Sequence, residues 1–374
     1  MNAKARRTFF FALPWLMLVP LVSNSCSSEP QARGQAAGSV ERGANAPVPA
    51  APVEVAAADV GTDLEMVGSG VRVRFSPRID RIVFFGPEGG GPNLLHAVDL
   101  SRSLPANGDY TFFGGAYSWW APQNGEKGWV GADGTPKNWP PDPAMDVGPA
   151  VLTAKTDRSI TVVGPVQRSG LRESKTIRIK GPNRAEISYT LTNTTNRTMT
   201  AGPWLNTAVT PGAGSVMAFR TSPGGMRGNA EERSSTWSVR GAMGENADAL
   251  FRGALTGTQE NGWNALPLSN AMWKEGIKVY LEAWATSSEP AELAVWRDGW
   301  WLHRRLTTGD RDSHERMRQF GEGPVATYIN PGLGIIEAEL VAPIVDIPPG
   351  GETTAVEVWT LIPSATADVN ALPR

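Results

Sequence analysis

The sequence has little cysteine, little histidine and little net charge. Its single cysteine, Cys26, excludes an internal disulfide and a cysteine-rich zinc site. The three histidines, His96, His303 and His314, leave few ways to build a metal or proton-transfer site. No histidines or carboxylates have the spacing of metal ligands, so we expect no metal and no cofactor. A net charge of −2 argues against a nucleic-acid-binding surface.

Long segments rich in leucine, glutamate, lysine and alanine are also missing. The chain instead contains 41 glycines and 30 prolines among its 374 residues. This composition favours many short strands joined by turns over helices. No short-period repeat is visible, which weighs against a propeller.

The N-terminus has the pattern of an export signal. Three basic residues, Lys4, Arg6 and Arg7, precede an apolar run over residues 9–22. This run is too short for a transmembrane helix, which needs about 20 apolar residues. We therefore predict a signal peptide at residues 1–26. The paired arginines also resemble a twin-arginine export signal.

Cys26 follows the apolar run at the position of a lipidated cysteine. The small residues Ser23 and Ser25 precede it, as in bacterial lipoproteins, although Ser23 stands where leucine is usual. We expect a lipid anchor on Cys26 and a location at the periplasmic face of the outer membrane. Ordinary signal cleavage would instead give a soluble periplasmic protein. Residues 27–62 have no strand or helix period, so we expect a disordered tether.

Short alternating segments indicate strands over residues 64–362. The clearest is residues 71–75, Val-Arg-Val-Arg-Phe. We predict roughly 14–18 strands and hardly any helix, with residues 310–319 as a loop or one helical turn. The fold class is all-β, a sandwich of large antiparallel sheets over residues 63–364, followed by a tail at 365–374. Further predicted strands cover residues 81–85, 151–154, 159–163, 171–180, 185–191, 278–285, 291–297, 300–306, 335–341 and 353–362, with a strand pair at 199–209. We predict residues 181–183 as the turn between the strands at 171–180 and 185–191, and the last two strands as a closing hairpin.

Residues 109–123 concentrate aromatic rings around a Gly114-Gly115 pair. We predict a strand at 111–113, then a bend that turns rings outward or across a cleft. Rigid, amphipathic rings suit the apolar face of a sugar. The alternative is that the rings fill the core. The rings are those of Tyr110, Phe112, Phe113, Tyr117, Trp119 and Trp120, with Trp139 in a proline-rich segment shortly after.

Four segments, in this order, resemble the galactose-mutarotase-like superfamily, in particular bacterial lipoprotein branches of it. They are residues 81–82 with Asn93-Leu94-Leu95, residues 114–122, residues 178–196, and residues 334–339 with 348–352. Each motif is short, and their order carries the resemblance. It covers about residues 64–362 and implies a β-supersandwich with a concave sugar-binding face.

The resemblance also implies a catalytic set, which this sequence matches only in part. Active members of the family use a glutamate base and histidine acids to open a hemiacetal ring. The glutamate corresponds to Glu337, which shares a strand face with Glu339. One family histidine would fall where Tyr117 stands, and the other near residues 204–206, which contain none. Tyr117 and His303 are therefore the candidate acids, with a structural role as the alternative for His303.

We expect an exported carbohydrate-binding protein. The first alternative is an aldose 1-epimerase with Glu337 as base, and others are a polysaccharide lyase or hydrolase and a structural envelope lipoprotein. The expected partners are a carbohydrate and, through Cys26, a membrane; the oligomeric state stays open. The predicted sugar-binding residues are Trp119, Trp120 and Trp139 for stacking, and Arg81, Asn93 and Asp142 for orienting hydroxyls.

Overall fold

Antiparallel strands make up most of the folded chain. The computed structural model describes residues 62–104, 110–131, 133–137, 139–220, 237–241, 262–268, 277–281, 290–307 and 311–374. Cys26, the predicted signal and residues 27–61 of the predicted tether lie outside these residues. All of the described residues belong to one compact unit, residues 54–374.

Ten strands form the first sheet. They are β1 (Leu64–Gly68), β2 (Val71–Ser76), β3 (Arg81–Pro87), β4 (Ala116–Ala121), β9 (Met199–Val209), β11 (Trp237–Gly241), β13 (Ile277–Leu281), β16 (Val325–Asn330), β17 (Ile335–Val341) and β18 (Val345–Ile347). Their order is β1-β2-β3-β4-β9-β17-β16-β13-β11, and β18 also pairs with β9. The central strands are thus β4, β9 and β17.

Nine strands form the second sheet. They are β5 (Val151–Thr156), β6 (Ser159–Val166), β7 (Leu171–Gly181), β8 (Arg184–Asn193), β10 (Val216–Arg220), β12 (Trp263–Pro267), β14 (Ala291–Arg297), β15 (Trp300–Leu306) and β19 (Glu352–Pro363). Their order is β12-β10-β14-β15-β19-β8-β7-β6-β5. The described part of the chain also has two short helices, α1 (Pro143–Asp146) and α2 (Arg311–Gln319), and neither could span a membrane.

The two sheets pack face to face, and alternate residues of each strand supply the core. Val73 of β2, Ile187 of β8 and Leu293 of β14 belong to one buried cluster that joins both sheets. Each fully buried side chain of this kind stabilises the fold by roughly 1.5–3 kcal/mol. The predicted all-β sandwich of large antiparallel sheets is confirmed, with 19 strands in the described residues against the 14–18 expected.

Charged groups also lie between the sheets. Lys175 Nζ of β7 lies 2.6 Å from Asp80 Oδ2 and 2.8 Å from Glu173 Oε1. The Ser118 hydroxyl of β4 donates to Glu173 at 2.5 Å. Burial, together with the Glu173 carboxylate, raises the pKa of Asp80 to about 6, although Lys175 opposes the shift. The Lys175 ammonium group thus forms ion pairs with two buried carboxylates, those of Asp80 and Glu173.

Three of the predicted strand assignments were wrong. Residues 111–113 are not a strand, whereas the predicted bend at residues 116–121 is β4. Residues 199–209 form the single strand β9 rather than a pair. The predicted closing hairpin does not exist, because β17 pairs with β9 and β16 in the first sheet while β19 pairs with β8 and β15 in the second. Residues 310–319, predicted as a loop or one helical turn, contain the nine-residue helix α2.

The C-terminal segment, which we predict as a tail, packs on the outer face of the second sheet. Its residues Val369 and Leu372 are buried in a cluster with alanines of β10 and β14. Trp263 Nε1 donates to the Pro373 carbonyl at 2.8 Å, and Trp296 Nε1 donates to the Ser364 carbonyl at 2.9 Å. These bonds make residues 364–374 part of the folded structure.

Candidate functional site

The three central strands of the first sheet are buried on both faces. Every residue of β4, β9 and β17 is buried. Because successive side chains of a strand point to opposite faces, this pattern requires cover on both sides. The inner face meets the second sheet. On the outer face, Trp129, Trp139 and Met145, which follow β4, pack against β4 and β9.

A cavity of about 470 Å³ opens on this outer face. Its described lining is aromatic in six residues of eleven and contains one carboxylate. The volume falls within the range of about 300–1,000 Å³ that small-molecule sites occupy. The lining residues are Tyr110, Phe112, Trp119, Gln123, Trp139, Trp204, Tyr328, Asn330, Leu333, Ile335 and Glu337.

Strand register brings Glu337 to the floor of the cavity. In β17 it pairs with Tyr328 of β16 on one side and Ala208 of β9 on the other. The predicted shared face of Glu337 and Glu339 is confirmed, because their neighbours Ile336 and Ala338 belong to the core between the sheets. Glu339 accepts a hydrogen bond from Trp204 Nε1 at 2.9 Å and does not line the cavity.

Tyr117 holds the Glu337 carboxylate in place. The Tyr117 hydroxyl donates a hydrogen bond to Glu337 Oε1, and both residues are buried. Burial and the negative charge of Glu337 raise the pKa of Tyr117 well above its usual value. The phenol therefore stays protonated and acts as a donor to Glu337. Tyr117 is a support for the carboxylate, located behind the cavity wall.

Beneath Tyr117 lies a buried ion pair between Arg81 and Asp146. Their side chains approach to 2.6 Å, and the Arg81 guanidinium lies 3.9 Å from the centre of the Tyr117 ring. Asp146 Oδ1 also accepts from Trp119 Nε1 at 3.0 Å. Burial raises the pKa of Asp146 in spite of the Arg81 charge. The pair thus fixes both Tyr117 and Trp119.

The predicted role of Arg81 in orienting sugar hydroxyls is wrong. Its side chain is 0% exposed, and its two terminal nitrogens donate to Asp146 at 2.6 Å and to the Gly114 carbonyl at 2.9 Å. The sequence shows that residue 81 begins a strand, but the segments that cover the outer face remove its guanidinium from solvent. Arg81 acts on the cavity through Tyr117 and Trp119.

The Gly114-Gly115 pair allows the chain to enter β4 under this cover. Both residues have left-handed backbone angles, φ +80° and +70°. A Cβ on Gly115 would lie 2.6 Å from the Ile82 carbonyl oxygen, and one on Gly114 would lie 2.4 Å from the His96 ring. Both angle and space therefore require glycine at these positions.

The structure brings two of the three predicted stacking tryptophans together. Trp139 is 48% exposed at the mouth of the cavity, with its ring centre 6.1 Å from that of Trp119 and 4.6 Å from that of Tyr110. Trp119, only 4% exposed, forms the wall behind it, wedged edge-on against Trp129 and Trp204.

The predicted stacking role of Trp120 is wrong. As the next residue of β4 it points to the opposite face from Trp119. Its ring is buried in a cluster with Leu171 and Leu191 of the second sheet. The sequence Trp-Trp therefore places one indole at the cavity and one in the core.

Two residues predicted to orient sugar hydroxyls form hydrogen bonds with the backbone instead. Asn93 accepts a hydrogen bond from the Phe85 amide at 3.1 Å and donates to the Val83 carbonyl at 3.0 Å. Asp142 caps helix α1 by accepting from the Ala144 amide at 3.1 Å. Neither residue lines the cavity, so their predicted roles in orienting hydroxyls are not supported by their positions.

The predicted acid His303 lies on the outer face of the other sheet. It is buried on β15, with Nε2 3.5 Å from Glu292 Oε1. It cannot protonate a ligand held at Glu337. His96 is half-buried beside Phe112 and bonded to Thr210 at 2.7 Å, and the His314 side chain lies outside the described residues. None of the described residues that line the cavity is a histidine.

The sequence pattern did not predict several of the cavity residues. The strand β16, which brings Tyr328 and Asn330 opposite β17, was not predicted. Its segment, Val-Ala-Thr-Tyr-Ile-Asn, is short and lacks clean alternation. Trp204 was recognised only as part of a strand. No group of three or more metal-ligating side chains occurs within the described ranges.

Comparisons with solved structures agree with this architecture. The chain is similar to the Slr1438 protein from Synechocystis sp. PCC 6803, with 9% identity, a TM-score of 0.50, and coverage of 80% of this chain and 95% of that one. It also resembles a galactose mutarotase related enzyme from Lactobacillus acidophilus (12% identity, TM-score 0.47, 82% and 99% covered). A galactose mutarotase-like protein from Lactobacillus casei ATCC 334 is similar too (13%, 0.48, 80% and 100%).

The Slr1438 protein shares the fold of this chain. Two of the three similar structures carry the name of the superfamily that the sequence resembles. At such low identities the likeness is one of fold alone, and fold does not determine function. No family model matches the sequence, and no curated protein matches it either. The function of the chain is therefore inferred from its cavity.

Proposed function

We propose that this protein binds a carbohydrate in the cavity on the outer face of the first sheet. The observation that carries the proposal is the combination of an exposed indole, Trp139, with a buried carboxylate, Glu337, in one cavity of about 470 Å³. Such a volume is typical of small-molecule sites.

The lining matches both faces of a sugar. The C–H face of a pyranose is apolar and packs on flat aromatic rings, which Trp139, Trp119 and Tyr110 supply. Its hydroxyls need hydrogen-bonding partners, which Glu337, Asn330 and Gln123 offer. Because Tyr117 already fixes Glu337, a ligand gains a pre-organised acceptor and loses less entropy on binding.

A binding titration tests the proposal. We would screen a glycan array and then measure affinity for the best neutral sugar by calorimetry, with wild type and Trp139→Ala. Loss of the exposed stacking ring is expected to weaken binding about tenfold. Trp300→Ala, a partly exposed tryptophan of the second sheet, is the matched control and should leave the affinity unchanged. No binding of any neutral sugar by the wild-type protein contradicts the proposal.

We further propose that the protein is exported and anchored to a membrane by a lipid. The basic residues, the short apolar run and Cys26 support a lipoprotein that presents the cavity in the periplasm. Labelling cells with a palmitate analogue should mark the wild-type protein and not Cys26→Ala. Equal labelling of both would refute the lipid anchor without bearing on sugar binding.

The second candidate is an aldose 1-epimerase, favoured by the position of Glu337 inside the cavity. Its carboxylate would take the proton of the anomeric hydroxyl while an acid protonates the ring oxygen. The Tyr117 proton is directed at Glu337, so Tyr117 would position the base. Among the described lining residues, the hydroxyls of Tyr110 and Tyr328 would have to serve as acids. Burial raises the pKa of Tyr110, which makes it a weak acid.

Polarimetry separates this candidate from simple binding. Fresh α-glucose or α-galactose should mutarotate faster with wild type than with Glu337→Gln if the epimerase candidate is correct. Equal rates remove it and leave binding intact. A hydrolase with two carboxylates is less favoured, because Glu339 is bonded to Trp204 and only Glu337 lines the described cavity.

A further inference from the structure

A second cavity, of about 230 Å³, lies on the outer face of the second sheet. Its lining has the opposite charge balance from the first. Four arginine side chains and one histidine surround it, with one side-chain carboxylate. The lining residues are Arg184, Arg220, Pro290, Glu292, His303, Arg305, Val358, Thr360, Pro373 and Arg374.

Strand register builds this cluster from residues far apart in the sequence. Arg220 of β10 pairs with Glu292 of β14, which pairs in turn with Arg305 of β15. The adjacent rung of the same face consists of His303, Thr360 and Arg184. Side chains fixed on neighbouring strands hold their geometry better than side chains on loops.

The single side-chain carboxylate does not balance the four arginine side chains. Glu292 is buried and lies 3.0 Å from Arg220, 3.5 Å from His303 Nε2 and 3.6 Å from Arg305. One negative charge therefore faces Arg220 and Arg305 together. Arg184 adds a further positive charge to the same cavity. The next carboxylate along the sheet, Glu186, is 3.2 Å from Lys180, outside the cavity lining.

We infer that this cavity binds a tetrahedral oxyanion, phosphate or sulfate, either as the ion or as a substituent of a larger ligand. Guanidinium groups bind such oxyanions through paired hydrogen bonds. The Thr360 hydroxyl lies between Arg184 and His303 and supplies a further donor. The cavity belongs to the other sheet from Glu337, so this site is separate from the proposed sugar site.

Calorimetry with inorganic phosphate and with inorganic sulfate tests the inference, with sodium chloride holding the ionic strength constant. Wild type should bind at least one of the two ions, and Arg184→Gln and Arg305→Gln should each weaken that binding about tenfold. The matched control is Arg172→Gln. Arg172 is exposed on the same face of this sheet but does not line the cavity, and its loss should change nothing.

Two further variants test whether paired hydrogen bonds are needed and whether this site is separate from the proposed sugar site. Arg184→Lys should retain part of the affinity, because charge remains while the paired hydrogen bonds are lost. Glu337→Gln should bind the oxyanion as wild type does, which distinguishes this site from the proposed sugar site. The inference is overturned if neither ion binds at millimolar concentration, if acetate binds as well as both, or if Arg172→Gln weakens binding as much as Arg184→Gln. Circular dichroism confirms that each variant is folded.

Discussion

The outer faces of the two sheets differ in what covers them. In the first sheet, β4, β9 and β17 have no exposed residue at all. In the second sheet, β7, β8 and β19 alternate between buried and more exposed residues, as strands with one solvated face do. The difference shows where the chain after β4 folds back over a sheet. That cover encloses the aromatic cavity.

The two cavities also differ in chemistry. The first combines six aromatic rings with Glu337, which suits a ligand that has an apolar face and hydroxyls. The second is lined by four arginine side chains and Glu292, which suits an oxyanion. Successive side chains of a strand point to opposite faces, so the residues on each outer face are not those of the core. The two outer faces of the sandwich can therefore differ in charge and in aromatic content.

Removal of Arg81 should have the largest effect on the covered face. Arg81→Met leaves the buried Asp146 without its cation and should lower the free energy of unfolding by about 3–5 kcal/mol. Chemical denaturation followed by circular dichroism measures this. The control Arg74→Met breaks an exposed ion pair with Asp63 and should cost under about 1 kcal/mol. Similar losses in the two variants would show that the Arg81 pair does not support the covered face.

Removal of the Tyr117 hydroxyl should have a smaller effect. Tyr117→Phe deletes a donor to the buried Glu337 and should cost about 1–3 kcal/mol of unfolding free energy. It should also reduce sugar affinity, because the carboxylate loses its fixed orientation. The control is Tyr328→Phe, whose hydroxyl accepts from Asn330 at a partly buried position and should matter less to stability. An unchanged unfolding curve for Tyr117→Phe contradicts this role.

The charges between the sheets predict a pH dependence. The pKa of Asp80 is about 6 in the folded protein against 3.8 ordinarily, so the folded state holds this proton more tightly. The resulting stabilisation is present below about pH 4 and is lost as the pH rises through about 6. Asp80→Asn should therefore gain stability relative to wild type across this range. Denaturation at several pH values measures the difference, and a constant or falling difference contradicts the assignment.

The smallest effect is expected at the mouth of the first cavity. Trp139→Ala should change the free energy of unfolding by no more than about 0.5 kcal/mol, because nearly half of the side chain is exposed. Trp359→Ala, in the core, should cost about 3–5 kcal/mol in the same assay. A large loss of stability in Trp139→Ala would mean that this ring is needed for packing.

The same contrast between the sheets explains what the sequence could predict. Strands β7 and β8 have one solvated face, so their alternation and the turn between them were visible. The strand β4 is covered on both faces and lacks that alternation, so its sequence predicts a bend. The resemblance located Glu337, whereas its neighbour Tyr328 depends on a pairing between β16 and β17 that local pattern does not reveal.

The errors among the site residues have a related cause. The concentration of aromatic residues indicates that Trp119 and Trp120 are close to a site. Which of the two rings faces the site depends on which residues of β4 point to the outer face of the sheet. Arg81 and His303 are charged or titratable residues on strands, which favours exposure in a sequence-based prediction. Covering segments bury Arg81, and sheet assignment puts His303 on the opposite side of the sandwich.

A crystal structure of the protein with the best-binding neutral sugar tests the central claim most directly. We expect a sugar ring packed against Trp139 and Trp119, with one of the sugar hydroxyls within hydrogen-bond distance of Glu337. A sugar bound at the arginine-lined cavity or elsewhere on the surface, with the aromatic cavity empty, would contradict it.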